Sequence, residues 1–232
     1  MRMKIAVLLS GCGVYDGAEI QESVFTLAAI ARNGGEYQVF APDVEMHHVI
    51  DHTTGNEMPG KRNVLVEAAR IARGNIRNIT EYDPADFDAL IIPGGFGTAK
   101  NLTGWAFKGP QAEINAAVAS AITATREAGK VTGAFCMGPV VVAKALGNAD
   151  IHAVLSTGST EAASPYDIGA IHAGMESLGM QTKNAGISEI TIDRENRIVC
   201  APCYMLEAGI LEVQNNIETA VKAIADLIRN KA

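Results

Sequence analysis

The stretch Gly133-Ala134-Phe135-Cys136-Met137-Gly138-Pro139 joins a predicted strand to a predicted helix, and the interpretation of the whole chain starts from it. The predicted strand covers residues 131–135 and the predicted helix covers residues 140–146. A strand that becomes a helix within two residues places the turn residue in a strained backbone conformation, with small residues two positions before and after it. Both of those positions are small here. The pattern therefore predicts a nucleophile elbow with Cys136 at its tip.

The position of Cys136 predicts a reactive thiol. The tip of an elbow lies at a helix N-terminus, where unpaired backbone N–H groups and the helix dipole favour a thiolate. A free thiol, with a pKa of about 8.5, is only a few per cent ionised at neutral pH. A buried structural cysteine is the alternative, and the small residues that frame Cys136 favour the reactive interpretation.

The composition predicts a soluble protein with one domain over residues 1–232. Of these residues 48% are hydrophobic and 19% are charged, which suits a large core, and no linker or low-complexity run divides the chain. The net charge of −7 argues against a nucleic acid partner, because phosphate binding requires clusters of basic residues. No apolar run has the length of a membrane helix, so no membrane partner is expected. Four cysteines without a secretory signal indicate reduced thiols in the cytoplasm.

Apolar runs alternate with amphipathic segments along the chain, which is typical of a parallel sheet. The predicted strands are residues 4–9, 37–41, 88–92, 131–135, 154–156, 187–193 and 197–201, the last two joined by a hairpin. The predicted helices are residues 17–33, 63–71, 111–127, 140–146, 170–178 and 217–229. We expect an α/β fold, with a mostly parallel sheet and helices on both faces. The functional crevice of such a sheet lies beyond the carboxyl ends of its strands, where loops 10–17 and 93–97 are expected to meet Cys136.

Five segments of the chain carry a second pattern. They are Ser10-Gly-Cys-Gly-Val-Tyr-Asp-Gly-Ala-Glu-Ile-Gln-Glu22, Asn63-Val-Leu-Val-Glu-Ala-Ala-Arg-Ile71, Pro93-Gly-Gly-Phe-Gly-Thr-Ala-Lys-Asn-Leu102, Cys136-Met-Gly-Pro139 and Ile198-Val-Cys-Ala-Pro-Cys-Tyr-Met-Leu206. Together they resemble the PfpI-like, class I glutamine amidotransferase-like superfamily. More narrowly they resemble its ElbB branch, the "enhancing lycopene biosynthesis" proteins described as glyoxalases. The resemblance implies a three-layer flavodoxin-like sandwich, a single class I glutamine amidotransferase-like domain over residues 1–232, and no cofactor.

Two acidic residues are candidates for proton transfer beside Cys136. Glu19 and Glu22 are three residues apart at the start of a predicted helix, so their side chains share one face. The resemblance places the glutamate that hydrogen-bonds the elbow cysteine on Glu22, with Glu19 one turn earlier near the pocket mouth. Either acid could instead simply complement the helix dipole.

Backbone N–H groups are the candidates for binding the substrate oxygen. Gly94 and Gly95 follow a predicted strand, and glycines at such a place allow a ligand to approach the backbone closely. The resemblance implies that the N–H groups of Gly95 and Met137 point at a developing oxyanion. A tight turn that ends the strand is the alternative for the glycines. Cys12 lies in a loop expected to face Cys136, as a redox partner or as a small loop residue.

The resemblance implies a cofactor-free glyoxalase of low activity, a lyase of the hydro-lyase type. Cys136 would attack glyoxal or a related 2-oxoaldehyde, and Glu22, or less readily Glu19, would move a proton between the two carbons. The product would be a 2-hydroxy acid, glycolate from glyoxal. A thiol-based oxidative-stress sensor is an alternative, and an amidotransferase-like accessory protein in isoprenoid biosynthesis is a weaker one. A small-molecule aldehyde substrate, no metal and a homodimer are expected.

Two other sequence features point to different chemistry. Glutamine hydrolysis in this superfamily uses a cysteine, a histidine and a glutamate, the last two spaced as His-x-Glu, and that spacing is absent from the chain. Cys200-Ala-Pro-Cys203 has the spacing of a redox dithiol, but no thioredoxin-like pattern surrounds it. Both features rank below Cys136 as indications of function.

Overall fold

Residues 2–230, which a computed structural model describes, fold around a central seven-stranded sheet. The strands of this part of the chain are β1 (Lys4–Leu8), β2 (Glu36–Ala41), β3 (Ile76–Asn78), β4 (Ala89–Ile92), β5 (Val131–Phe135), β6 (Val154–Leu155), β7 (Gln181–Thr182), β8 (Thr191–Asp193) and β9 (Ile198–Ala201). The order across the main sheet is β3-β2-β1-β4-β5-β9-β8, and β6 pairs with β7 in a separate sheet. Within the main sheet, β8 runs antiparallel to β9 and the other pairs are parallel.

Helices cover both faces of the main sheet. They are α1 (Ile20–Arg32), α2 (Val64–Ile71), α3 (Trp105–Lys108), α4 (Ala116–Glu127), α5 (Gly138–Asn148), α6 (Ile168–Glu176) and α7 (Ile210–Arg229). Side chains alternate between the two faces of a strand. Ile5 and Val7 of β1 therefore pack with α1 and α7, whereas Ala6 and Leu8 pack with α4 and α5. The predicted three-layer, mostly parallel α/β sandwich is confirmed.

The strand order places a topological switch point beside β1. The chain proceeds outward from β1 through β2 to β3, and then returns to β4 on the other side of β1 before continuing to β5. Loops that leave the carboxyl ends of β1 and β4 therefore diverge and open a crevice, the usual ligand site in such sheets. The loop after β5, which carries Cys136, borders the same crevice.

Several predicted elements differ from the observed ones. The strand predicted at 187–193 is observed only over Thr191–Asp193. The strand predicted at 154–156 is β6, which pairs with β7 and does not join the main sheet. Its Val154 N–H group donates a 2.8 Å hydrogen bond to the side chain of Asp193 on β8. The helix predicted from residue 111 begins at Ala116, because the Asn115 side chain accepts hydrogen bonds from the first helical N–H groups. The closing helix begins at Ile210, seven residues before its predicted start at 217. None of the helices described over residues 2–230 has the length and apolar character needed to cross a membrane.

Candidate active site

The predicted elbow is present between β5 and α5. Cys136 has a φ of 53°, in the left-handed region that non-glycine residues rarely adopt. Its N–H group donates a 2.9 Å hydrogen bond to the carbonyl of Ala201 on β9, which fixes the turn against the sheet. Gly138 lies so close to β4 that a Cβ atom there would be 2.7 Å from the Ile92 carbonyl oxygen. The small residue after the cysteine is therefore required by packing.

Gly94 provides the space that the Cys136 side chain occupies. A Cβ atom at Gly94 would lie 2.3 Å from the Cys136 Cβ atom and 2.6 Å from its Sγ atom. It would also lie 2.7 Å from Oε2 of Glu22. Gly94 therefore lets the sulfur and the carboxyl group approach each other, and it is not among the residues that line the cavity.

Glu22 is fully buried beside the sulfur. Its Oε2 atom accepts a 2.9 Å hydrogen bond from the Gly94 N–H group, and its Oε1 atom accepts one of 3.2 Å from the Tyr204 N–H group. The carboxyl group is also hydrogen-bonded to Cys136. Burial, together with the nearby charge of Glu19, raises the pKa of Glu22 to about 8 despite these bonds. Glu22 is therefore mostly protonated at neutral pH.

The pKa of the Cys136 thiol is raised, which contradicts the thiolate predicted from the helix N-terminus. Burial raises it most, and the negative charge of Glu22 adds to the effect. The N–H groups of Gly95 and Met137 point at the sulfur and lower the pKa, but by less. The resting sulfur is thus a thiol, and a base is needed to activate it.

Glu19 lies at the mouth of the site and begins α1. Its carboxyl group accepts a 2.6 Å hydrogen bond from the Glu22 N–H group, which makes it the N-cap of the helix. Its own N–H group donates a 2.9 Å hydrogen bond to the Gly94 carbonyl and ties the helix to the loop after β4. Partial burial raises the pKa of Glu19. Unlike Glu22, it lines the cavity above the sulfur.

A cavity of about 250 Å³ opens above Cys136. Glu19, Gly95, Cys136 and Met137 line its reactive end. The walls are apolar and aromatic, and they include Phe96, Trp105, Tyr166, Ile171, Tyr204 and Met205. Neither Tyr166 nor Tyr204 is among the predicted site residues. Tyr166 belongs to an irregular segment without a recognisable motif, whereas Tyr204 lies in the segment 198–206 that carries the resemblance, which assigns it no role. Burial, then the charges of Cys136 and Glu22, raise the pKa of Tyr166 to about 12, so its hydroxyl group remains a proton donor near the sulfur.

Comparisons with known proteins assign the chain to a family, although no protein-family model matches it. The chain is 37% identical over 226 residues to the human "glutamine amidotransferase-like class 1 domain-containing protein 3, mitochondrial", with 97% of this chain and 83% of that protein covered. It is also 37% identical over 228 residues to the rat "ES1 protein homolog, mitochondrial", with 97% and 84% covered. The chain belongs to this ES1 family of glutamine amidotransferase-like class 1 domain proteins.

Solved structures agree with this family and with the predicted ElbB-like branch. An isoprenoid biosynthesis protein with an amidotransferase-like domain from Ehrlichia chaffeensis is 28% identical and superimposes with a TM-score of 0.87, covering 97% of this chain and 99% of that one. Glyoxalase III from Candida albicans is 15% identical with a TM-score of 0.59, covering 95% and 97%, and shares the fold. The PfpI-like superfamily predicted from the sequence is confirmed.

This amidotransferase-like chain does not place a histidine at its elbow cysteine. None of the described residues that line the cavity is a histidine. His172 on α6 is buried, and its Nε2 atom accepts a 3.4 Å hydrogen bond from the Thr157 N–H group. A Cys-His-Glu triad for glutamine hydrolysis therefore has no imidazole in the cavity.

The other three cysteines do not contribute to the cavity lining. Cys12 is predicted to face Cys136, but it does not line the cavity; burial raises its pKa, and its nearest charged neighbours include Glu67 and Arg70 of α2. Cys200 packs with α4 and α5, whereas Cys203 packs with α1 and α7. The two thiols therefore lie in cores on opposite faces of the sheet, which argues against their pairing as a redox dithiol.

Proposed function

We propose that this chain is a cofactor-free glyoxalase that converts a 2-oxoaldehyde such as glyoxal into a 2-hydroxy acid. The observation that carries the proposal is one arrangement at the reactive end of the cavity. The Cys136 sulfur is hydrogen-bonded to the Glu22 carboxyl group and faces the N–H groups of Gly95 and Met137. A nucleophile, a proton acceptor and oxyanion donors are the groups that addition to an aldehyde requires.

The first step forms a hemithioacetal. The ionised fraction of Glu22, about a tenth at pH 7 for a pKa of about 8, accepts the thiol proton as the sulfur bonds to the aldehyde carbon. The carbonyl electrons move to the oxygen, which receives hydrogen bonds from Gly95 and Met137. The Glu22 carboxylate thus accepts the Cys136 proton, the task that a histidine imidazole performs in related reactions.

The later steps return the free thiol. Glu22 first returns the thiol proton to the alkoxide oxygen, which completes the hemithioacetal and frees the carboxylate. Glu22 then moves a proton from the hemithioacetal carbon to the neighbouring carbonyl carbon through an enediol, which leaves a 2-hydroxyacyl thioester on Cys136. Water then hydrolyses the thioester. The sum for glyoxal is addition of one water to give glycolate, with no external oxidant or reductant. Glu19 lines the cavity and is the second candidate for the proton transfer between carbons.

The proposal is tested by glycolate formation from glyoxal. We expect Cys136→Ala to reduce the rate to the uncatalysed background and Glu22→Gln to reduce it by about 10²-fold or more. Cys12→Ala is the matched control, because it removes another partly buried thiol that does not line the cavity. Turnover by Cys136→Ala equal to that of the wild type would refute the proposal.

An oxidative-stress sensor that acts through Cys136 has less support. Peroxide oxidises the thiolate form of a cysteine, whereas burial and Glu22 raise the pKa of this thiol. Mass spectrometry after mild peroxide treatment, together with the glyoxal assay, distinguishes a sensor from a glyoxalase. Selective oxidation of Cys136, together with absent glyoxal turnover, would favour the sensor.

Assembly and location are further proposals. We propose a homodimer, which size-exclusion chromatography with light scattering checks. A cytoplasmic location is likewise proposed for this chain, whereas the human and rat relatives are named mitochondrial. Fractionation of cells that produce the chain distinguishes the two locations.

A further inference from the structure

The cavity is larger and more apolar than glyoxal requires. Resting on the proposed function, we infer that the preferred substrates are 2-oxoaldehydes with a bulky, neutral apolar group, such as a phenyl ring, on the ketone carbon. An engineered cavity of about 150 Å³ lined by aliphatic and aromatic side chains binds benzene. The cavity above Cys136 measures about 250 Å³, so it has room for such a ring together with two carbonyl groups. Glyoxal has two carbons and no apolar group to place against these walls.

The aromatic wall is held in place by contacts within the protein. The rings of Phe96 and Tyr166 meet edge to face, with centroids 5.7 Å apart. Trp105 is only 8% exposed, and α6 holds its ring in place because a Cβ atom at Gly174 would lie 2.9 Å from it. A preformed apolar wall gains binding free energy from an apolar substituent without first having to reorganise.

The charged group that lines the cavity disfavours an anionic substituent. Glu19 is the charged side chain among the described lining residues, and none of them is lysine or arginine. A phosphate or carboxylate group would meet the acidic Glu19. A nearby cation, Lys100, lies outside the lining, with its Nζ atom 5.4 Å from the Phe96 ring centroid and hydrogen-bonded to the Tyr15 carbonyl, so a neutral substituent is favoured. Tyr166 also lines the cavity, and its hydroxyl group stays protonated, so we expect it to donate a hydrogen bond to the ketone oxygen.

The reaction balances without a co-reactant. The aldehyde carbon bonds to the sulfur and is oxidised to the level of a carboxylic acid, while the ketone carbon is reduced to an alcohol. One water hydrolyses the thioester and restores the thiol. Phenylglyoxal would thus yield mandelate.

The test compares kcat/KM of the full chain for phenylglyoxal, methylglyoxal and glyoxal. Products are quantified by chromatography, because mandelate is not formed when phenylglyoxal modifies arginine side chains. We expect kcat/KM for phenylglyoxal to exceed that for glyoxal by about tenfold or more, the effect of burying one apolar group. Acetophenone, which carries the ring but no aldehyde, should inhibit methylglyoxal turnover at concentrations where acetone does not.

A matched pair of variants tests the cavity itself. Ala106→Phe adds a ring at an exposed position that lines the cavity, and it should lower the phenylglyoxal-to-glyoxal ratio of kcat/KM by about tenfold. Ala173→Phe makes the same change on the solvent-exposed side of α6, outside the cavity lining, and should leave the ratio unchanged. Circular dichroism and thermal unfolding establish that both variants fold.

The possible outcomes separate the inference from the proposed function. Faster turnover of glyoxal than of phenylglyoxal, or equal inhibition by acetophenone and acetone, overturns the inference and leaves the glyoxalase intact. Absence of turnover for all three aldehydes refutes the proposed function. If Ala106→Phe does not fold, the acetophenone comparison on the wild-type chain decides the inference.

Discussion

The carboxyl group of Glu22 accepts a 2.9 Å hydrogen bond from the N–H group of Gly94, the residue whose missing side chain leaves room for the Cys136 sulfur. One loop thus both orients the acid and lets it reach the nucleophile. The same loop continues into Gly95, whose N–H group points at the sulfur. These groups depend on each other for their positions, but each has a different task. Variants at Glu22, Glu19 and Gly94 should therefore have different effects on the pH dependence, the rate and the stability.

The rate should rise with pH, reach half of its plateau near pH 8 and level off above it. Glu22 has a pKa of about 8, so below that pH its carboxyl group is mostly protonated and cannot accept the thiol proton. The measurement is kcat/KM for glyoxal between pH 5 and 9, which reports ionisation of the free enzyme. Glu22→Gln should lower the rate and remove this rise. A wild-type rate that falls between pH 6 and 8 would contradict the assigned role.

Removing the charge of Glu19 should shift the pH profile to lower pH. After burial, the negative charge of Glu19 is the next cause that raises the pKa of Glu22. In Glu19→Gln the amide oxygen can still accept the N-cap hydrogen bond from the Glu22 N–H group. We therefore expect the plateau rate to stay within severalfold of wild type while the profile moves.

The control for this shift is Glu195→Gln, which neutralises an exposed acid in the β8–β9 hairpin. It should leave the profile in place. An unshifted profile in Glu19→Gln would mean that the two carboxyl groups do not interact. If Glu19→Gln instead loses the plateau rate while Glu22→Gln keeps it, Glu19 is the proton carrier.

Gly94→Ala should damage both stability and activity. The added Cβ atom would lie 2.6 Å from the Cys136 sulfur and 2.7 Å from the Glu22 carboxyl oxygen, both held in a packed core. Overpacking of this kind typically costs ~1–3 kcal/mol of the free energy of unfolding. Urea unfolding and glyoxal turnover give the two readouts.

The matched control for this substitution is Gly104→Ala. Its added Cβ atom would come no closer than 3.5 Å to a neighbour, the side chain of Ala112, and its φ of −94° suits any residue. Gly104→Ala should therefore unfold at a urea concentration close to that of the wild type. Equal destabilisation by the two substitutions would show that Gly94 is not a special position.

Much of the fold could be predicted from the sequence because its central strands are buried on both faces. Residues 5–8 and 89–92 are continuous apolar runs and become β1 and β4. The elbow cysteine was identified from the small residues around it. By contrast, β3 has only three half-buried residues, and no periodic pattern marks so short a strand.

The chemistry of the site depends on contacts between segments that are far apart in the sequence, and these contacts could not be predicted from any one short stretch. The helix N-terminus predicts a lower pKa for Cys136, but burial and Glu22 outweigh it. Tyr166 reaches the cavity from a segment before α6, and Tyr204 reaches it from the turn after β9. No local motif marks Tyr166. Tyr204 lies in the segment 198–206 that carries the resemblance, but its contact with the cavity follows from how distant segments pack.

Stability should decrease as the pH rises from about 4.5 to about 8. The pKa of Glu22 is about 8 in the folded chain and 4.5 for an unperturbed glutamate. Between these values the folded state holds a proton that the unfolded state has released, so raising the pH favours unfolding. Below about pH 4.5 both states are protonated and Glu22 contributes no further change. The contribution of this one group is of the order of a few kcal/mol.

Glu22→Gln tests this dependence, because glutamine cannot titrate and keeps a similar shape. Urea unfolding of both chains at pH 5 and pH 8 gives the change in the free energy of unfolding for each. The wild type should lose a few kcal/mol more than Glu22→Gln over this range, since groups distant from Glu22 titrate equally in both chains. Identical pH dependence in the two chains would mean that Glu22 titrates as an ordinary glutamate, and the proton transfer assigned to it would have no basis.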